Sequence, residues 1–175
     1  MNFWLFLVAA LLLSLERLCY IWVWRAPDTF RIWCERLSLG KPIEVLQKLF
    51  YGFKGIQGAV FFGWCYVYGN GWSSLLHGGV VALGVGSILI VVGQILNFSV
   101  FYRLGKVGVF YGNRLGYQIP WCRAFPFSLL KHPQYVGTVL CIWGLFLAMR
   151  FPHDDWYMLP MLETVYYMLG AFFEQ

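Results

Sequence analysis

Charge is what this sequence has least of. Only 12% of its 175 residues are Asp, Glu, Lys or Arg, about half of the roughly 25% that a soluble domain carries. Paired cysteines are missing too. The five Cys are an odd number and none stands in a Cys-x-x-Cys spacing, which excludes a disulfide scaffold. Internal repeats, low-complexity tracts and domain linkers are absent, so one domain over residues 1–175 is expected. The first residues lack the basic start and the Ala-x-Ala-like cleavage site of a secretory signal. What fills the chain is apolar: 60% hydrophobic and 21% aromatic, with a mean hydropathy of +0.63. So much apolar surface does not stay hydrated, and disorder is excluded. The expected class is an all-α integral membrane bundle with little outside the bilayer.

A bilayer core of about 30 Å takes about 20 apolar residues of helix. Five stretches come close: Asn2–Trp24, Leu49–Tyr68, Leu75–Tyr102, Leu129–Met149 and Trp156–Glu174. The third is long enough to tilt or to project into the cytosol. The first contains Glu16 and Arg17, neighbours that do not face each other on a helix. A tilted or interfacial segment from which Arg17 snorkels is favoured there over a buried pair. If that segment is interfacial, four helices span instead of five. Arg25, Arg31, Arg36, Lys41 and Lys48 crowd one connection, and Arg103, Lys106, Arg114 and Arg123 another. The positive-inside rule puts both in the cytosol, together with Glu174. A net charge of +5, spread over such loops, suits an anionic lipid surface better than nucleic acid.

Residues 93–137 do not read as bundle filler. Gly93, Gly105, Gly108, Gly112, Gly116 and Gly137 are interleaved with Pro120, Pro126 and Pro133, and with Tyr102, Tyr111, Tyr117, Trp121 and Tyr135. Loops longer than about 12–15 residues are usually functional or disordered, and this one is too aromatic for disorder. Basic groups hold a phosphate, and aromatic faces hold a quaternary ammonium. An aromatic belt with snorkelling cations accounts for the same spacing equally well. His132 precedes Pro133 near a helix start, where it caps the loop or acts as an acid/base. His77 and His153 have no ligand set for a metal, and none is expected. The cysteines are expected to be reduced packing residues. Glu163 is an intramembrane carboxylate on the side away from the basic loop. Glu174 ends the last helix where a carboxylate opposes the macrodipole, a position suited to binding an amine or accepting a proton.

Gly93-Gln94-Ile95-Leu96-Asn97-Phe98 is followed by Leu104-Gly105, Gly108, Tyr111-Gly112, Gly116, Ile119-Pro120-Trp121, Phe125-Pro126-Phe127 and Pro133-Gln134-Tyr135-Val136-Gly137. In order and spacing this series resembles the phospholipid N-methyltransferases, above all their plant-type branch. The resemblance implies S-adenosylmethionine as methyl donor, and methylation of phosphatidyl-N-methylethanolamine, through the dimethyl lipid, to phosphatidylcholine. It also implies a cytosol-facing site in the endoplasmic reticulum membrane. The family's Gly-x-Gly falls on Val91-Val92-Gly93 and its Glu-Glu on Glu174-Gln175, so that only Gly93 and Glu174 keep the family's residue. Pro133, Gln134 and Gly137 join these as expected donor-binding positions. Glu174 is expected to position the donor's amino group or the substrate ammonium, with His132 or Tyr135 as base. Tyr111, Arg114, Trp121, Arg123 and Lys131 are the expected contacts to the lipid. Related membrane methyltransferases acting on prenylcysteine and NADPH-dependent sterol-type reductases carry similar segments. A lipid-anchored structural bundle is the non-enzymatic alternative. Gly78, Gly79, Gly84 and Gly86 offer a dimer contact or packing within the chain, and the oligomeric state stays open.

Overall fold

A computed structural model describes residues 2–69, 79–120 and 122–174. It contains six α-helices in the order α1 (Phe3–Arg25), α2 (Pro27–Arg36), α3 (Pro42–Tyr68), α4 (Gly79–Val109), α5 (Pro133–Arg150) and α6 (Met158–Phe173). No strand occurs among the described residues. Among the described residues two helices, α1 and α4, are long and apolar enough to cross a bilayer, and α6 is a shorter apolar helix. The expected start of the third span and most of the turn before it fall on residues 70–78, outside the described residues, as do His77 and Gly78.

Local chemistry sets the helix starts. Asn2 caps α1, its side chain accepting from the Trp4 N–H at 3.0 Å. Proline opens α2, α3 and α5, at a position whose N–H has no partner in the helix anyway. Pro27 thereby starts a ten-residue helix inside the first basic connection, where apolar run length gave no reason to expect one. Thr29 Oγ1 fastens the corner, accepting from Trp22 Nε1 at 2.9 Å and donating to the Ala26 carbonyl at 2.7 Å. Pro42 likewise starts α3 seven residues before the expected apolar span.

α1 and α3 run antiparallel, with the Asn2 N–H donating to the Tyr68 hydroxyl at 3.0 Å. α6 lies against α1 and donates from the Tyr166 hydroxyl to the Ala10 carbonyl at 3.1 Å. Phe61, Trp64, Phe146, Leu159 and Tyr167 form one core among these helices and α5. A second core, with Tyr20, Phe30, Leu46, Phe110 and Leu115, lies toward the basic end. The opposite end is pinned by Arg150, whose guanidinium pairs with Asp155. Asp155 also accepts from Trp64 Nε1 at 2.8 Å.

α4 and α5 meet along glycines. A Cβ at Gly93 would lie 2.4 Å from the Gly137 carbonyl oxygen, and one at Gly86 would lie 2.6 Å from that of Gly144. Each pair is seven residues from the next on both helices, so the contact repeats every second turn. The two backbones therefore meet with no room for a Cβ at either pair, and that approach fixes α5 beside α4. Gly86, weighed above as a dimer contact, is buried in this seam. Near its end α4 breaks at Gly105, at φ 61 and ψ −175, a conformation that a residue with a Cβ rarely adopts. The long third span therefore bends there, and Phe110 turns inward to the second core.

Candidate functional site

A cavity of about 500 Å³ lies among α1, α3, α4, α5 and α6, covered by the segment after α4. Phe50, Phe61, Phe98 and Phe101 supply apolar wall, and the polar groups gather at its two ends.

At the outer end stands Glu174, just past α6, its N–H donating to the Gly170 carbonyl at 3.0 Å. The Tyr111 hydroxyl donates to Glu174 Oε1 at 2.6 Å, and the Tyr135 hydroxyl donates to the same carboxylate at 2.5 Å. The two phenol oxygens are 3.1 Å apart. Tyr111 adopts φ 52, uncommon for a residue with a side chain. Trp24 and Tyr20 hold its ring edge-on, with centroids 5.5 and 5.6 Å away. Burial, then the charge of Tyr135 and of Glu174, pushes the Tyr111 phenol well above the ordinary tyrosine range. It is therefore a hydrogen-bond donor at neutral pH. The His132 ring stacks on Tyr135 at 5.7 Å. His132 Nε2 and Asn97 Oδ1 are buried without a hydrogen-bond partner.

At the inner end the expectation that Arg17 snorkels is overturned. Glu16 and Arg17 are buried and paired at 2.7 Å, so Arg17 does not snorkel to an interface. The reason lies in other helices. Lys54 on α3 donates to Glu16 at 3.2 Å, to Gln57 Oε1 at 3.0 Å and to the Tyr167 hydroxyl at 3.2 Å. The Arg17 guanidinium carbon sits 4.0 Å from the centre of the Tyr167 ring, with Tyr20 and Tyr135 at 5.1 and 5.5 Å. Partners remote in sequence make burial tolerable for a pair that could not serve itself. Glu163 joins through Gln57 Nε2, which donates to it at 2.7 Å.

Of the residues expected from sequence, Glu174, His132, Tyr135, Pro133, Gln134, Tyr111 and Lys131 come together around this cavity. Gly137 lies in the glycine seam beneath them, where an added Cβ would meet Asn97 Oδ1 at 2.7 Å. Val91 and Val92 are exposed on α4 and Gly93 faces α5; none of the three is in the cavity lining. Arg114 stacks over Trp24 at 4.0 Å and accepts at its carbonyl from Arg31. Arg123 is exposed, and neither arginine lines the cavity. Trp121 and Gln175 lie outside the described residues. Sequence reasoning passed over Lys54, Gln57, Asn97, Tyr20 and Tyr167. A lysine inside an apolar span was signal enough for the first of these.

Residues 81–175 match the family model described as phospholipid methyltransferase. A phosphatidyl-N-methylethanolamine N-methyltransferase of Arabidopsis thaliana is 46% identical over 54 residues, which is 31% of this chain and 33% of the relative. A Schizosaccharomyces pombe protein of the same name is 29% identical over 93 residues, 53% of this chain and 46% of that relative. The matched stretches thus span between a third and a half of these curated relatives. No solved structure matches the chain.

Proposed function

The chain belongs to the phospholipid methyltransferase family, and from that premise we propose that it methylates phosphatidyl-N-methylethanolamine, through the dimethyl lipid, to phosphatidylcholine, with S-adenosylmethionine as donor. The observation that carries this reading is the Glu174 carboxylate, held by two phenols at the basic end of a cavity walled by aromatic rings.

The residues present fit the donor. Its ammonium needs an acceptor, which Glu174 and the unpartnered Asn97 Oδ1 provide. A flat adenine needs apolar aromatic wall, which Phe98 and Phe101 provide. When bound, S-adenosylmethionine supplies an electrophilic methyl group on its sulfonium.

The chain's own residues prepare the amine. Only its neutral form has a lone pair, and an alkylammonium with a pKa of about 10 is neutral roughly once in a thousand at pH 7, a handicap of about 4 kcal/mol. Aromatic walls lower that pKa by disfavouring the charged form. The Tyr135 oxygen takes the proton as its own O–H passes to Glu174, since the bond for that transfer already exists. His132 Nε2, buried and unpartnered, is the second base within the cavity. Lys131, also in the lining, is placed to meet the lipid phosphate. Holding amine and methyl together supplies much of the remaining rate.

In this reading α1, α3, α4, α5 and α6 cross the endoplasmic reticulum membrane, α2 lies in its cytosolic interface, and the basic connections, the cavity mouth and Glu174 face the cytosol. The test is methyl transfer by the purified protein to un-, mono- and dimethylated phosphatidylethanolamine in parallel. Labelled monomethyl lipid consumed to phosphatidylcholine is the expected result. Transfer to a prenylcysteine instead, or to no acceptor, would sink the assignment.

A further inference from the structure

The cluster at the inner end of the cavity leaves donors over. Lys54 Nζ is satisfied by Glu16, Gln57 and Tyr167. Arg17 is not: it is 5% exposed and gives Nη2 to Glu16 at 2.7 Å, while Nε and Nη1 have no hydrogen-bond partner. The Tyr167 face at 4.0 Å balances charge without supplying an oxygen. Glu163 is committed to Gln57 and is not in the lining, whereas Arg17 is. Buried N–H groups of native proteins are nearly all paired, so a guanidinium with two idle donors on a cavity wall awaits an acceptor from outside the chain.

We infer that Arg17, supported through Glu16 by Lys54, is an oxyanion seat at the inner end of the cavity that holds the anionic group of a reactant. The matching chemistry is a two-oxygen anion, which a guanidinium grips with two N–H groups. Two sources exist under the proposed function, on which this inference rests: the carboxylate of the donor and the phosphodiester of the lipid. Arg17 stands eight residues before the end of α1, about 12 Å into the bundle; the Tyr135 ring is 5.5 Å from its guanidinium and the Tyr135 hydroxyl reaches Glu174, so the seat and the carboxylate flank one phenol. Both Arg17 and Lys54 lie outside the family-matched residues 81–175, which makes the first helices part of the site and not only its support.

The test compares the full chain in detergent micelles with Arg17→Gln, Arg17→Lys and the charge-balanced pair Glu16→Gln with Arg17→Gln. S-adenosylhomocysteine affinity is read by calorimetry and the lipid KM by methyl transfer. The seat predicts a loss of about 10- to 100-fold in one of the two, the worth of charge-assisted hydrogen bonds, with Arg17→Lys recovering part of it. A loss confined to S-adenosylhomocysteine identifies the carboxylate, and one confined to the lipid KM identifies the phosphodiester. If Arg17→Gln does not fold, the balanced pair decides by the same two readings. Folded variants with both constants unchanged overturn the seat and leave the two N–H groups to bound water, while the proposed function stands. A wild-type chain that neither binds S-adenosylhomocysteine nor methylates lipid overturns the proposed function, and the seat with it.

Discussion

Replacing Gly93 by alanine adds one methyl group where α4 and α5 leave no room for it. The new Cβ would stand 2.4 Å from the Gly137 carbonyl oxygen and 2.6 Å from Cys141 Sγ, against the 3.4 Å at which ordinary contact begins. Backbone on the facing helix has no rotamer to escape into, so α5 must retreat by about 1 Å. Gly137 is two residues beyond Tyr135, whose hydroxyl reaches Glu174 at 2.5 Å. A shift of that size takes the phenol out of hydrogen-bond range, beyond about 3.2 Å. Overpacking of this kind costs about 1–3 kcal/mol in stability, and a misplacement of about 1 Å costs on the order of 100-fold in rate. Denaturant titration in mixed micelles reads the first, and kcat for methyl transfer the second. Two glycines of the same helix serve as controls. Gly86→Ala meets the Gly144 oxygen at 2.6 Å but two turns farther from Tyr135, so it loses stability and keeps most of its kcat. Gly84→Ala meets nothing within 4 Å and gains up to about 1 kcal/mol from helix propensity. If Gly93→Ala is as stable as Gly84→Ala, the seam does not set the spacing of the helices. If it keeps full stability and loses only donor affinity, Gly93 is a ligand contact.

Glu174→Gln keeps the size of the side chain and removes the charge; S-adenosylhomocysteine affinity is expected to fall about 10- to 100-fold, and an unchanged Kd removes Glu174 from the donor's ammonium. The raised Tyr111 phenol makes an alkaline prediction with a definite sign. Unfolded, it releases its proton near pH 10, whereas folded it holds it, so above about pH 10 the unfolded state binds fewer protons and stability falls as pH rises. Tyr111→Phe makes that fall shallower, measured as the drop in Tm between about pH 9 and about pH 11; equal drops in the two proteins refute the coupling. Asp155→Ala strands the 1%-exposed Arg150 at the end remote from the cavity, which costs about 3–5 kcal/mol and leaves donor affinity intact in whatever fraction stays folded.

The helix pattern was legible in the sequence because hydropathy and proline act locally. Apolar runs mark α1 and α4, whereas the span expected from Leu129 becomes helix only at Pro133, four residues later. The ten residues of α2 are too few and too polar to register as a span, and only Pro27 and the Thr29 hydroxyl mark that helix. The outer half of the cavity was legible as well, since Tyr111 and Tyr135 belong to the motif series, His132 stands just before its last segment, and Glu174 was expected on the same side as the basic loop. The inner half was not. Glu16 and Arg17 are adjacent, and a helix alone gives such neighbours no shared face. Their burial depends on Lys54, 38 residues from Glu16, and on Tyr167, 113 residues from Lys54. No local pattern contains those distances. The glycines of the seam lay in plain view at intervals of seven, but the same spacing fits a contact between chains.

The Glu16–Arg17 pair also bears on how the chain is made. Synthesis delivers α1 first and α6 last. Burying a lone charge is expensive, yet adjacent residues of opposite sign give α1 little net charge at that point. Lys54 reaches the pair two helices later, with α3, and Tyr167 closes over Arg17 only when α6 arrives. Until then the guanidinium has Glu16 and Tyr20 of its own helix but no Tyr167 ring over it. A chain lacking α6 would therefore keep the Glu16 partner of Arg17 but not the Tyr167 ring over it, so the last helix completes a cluster that the first one opens.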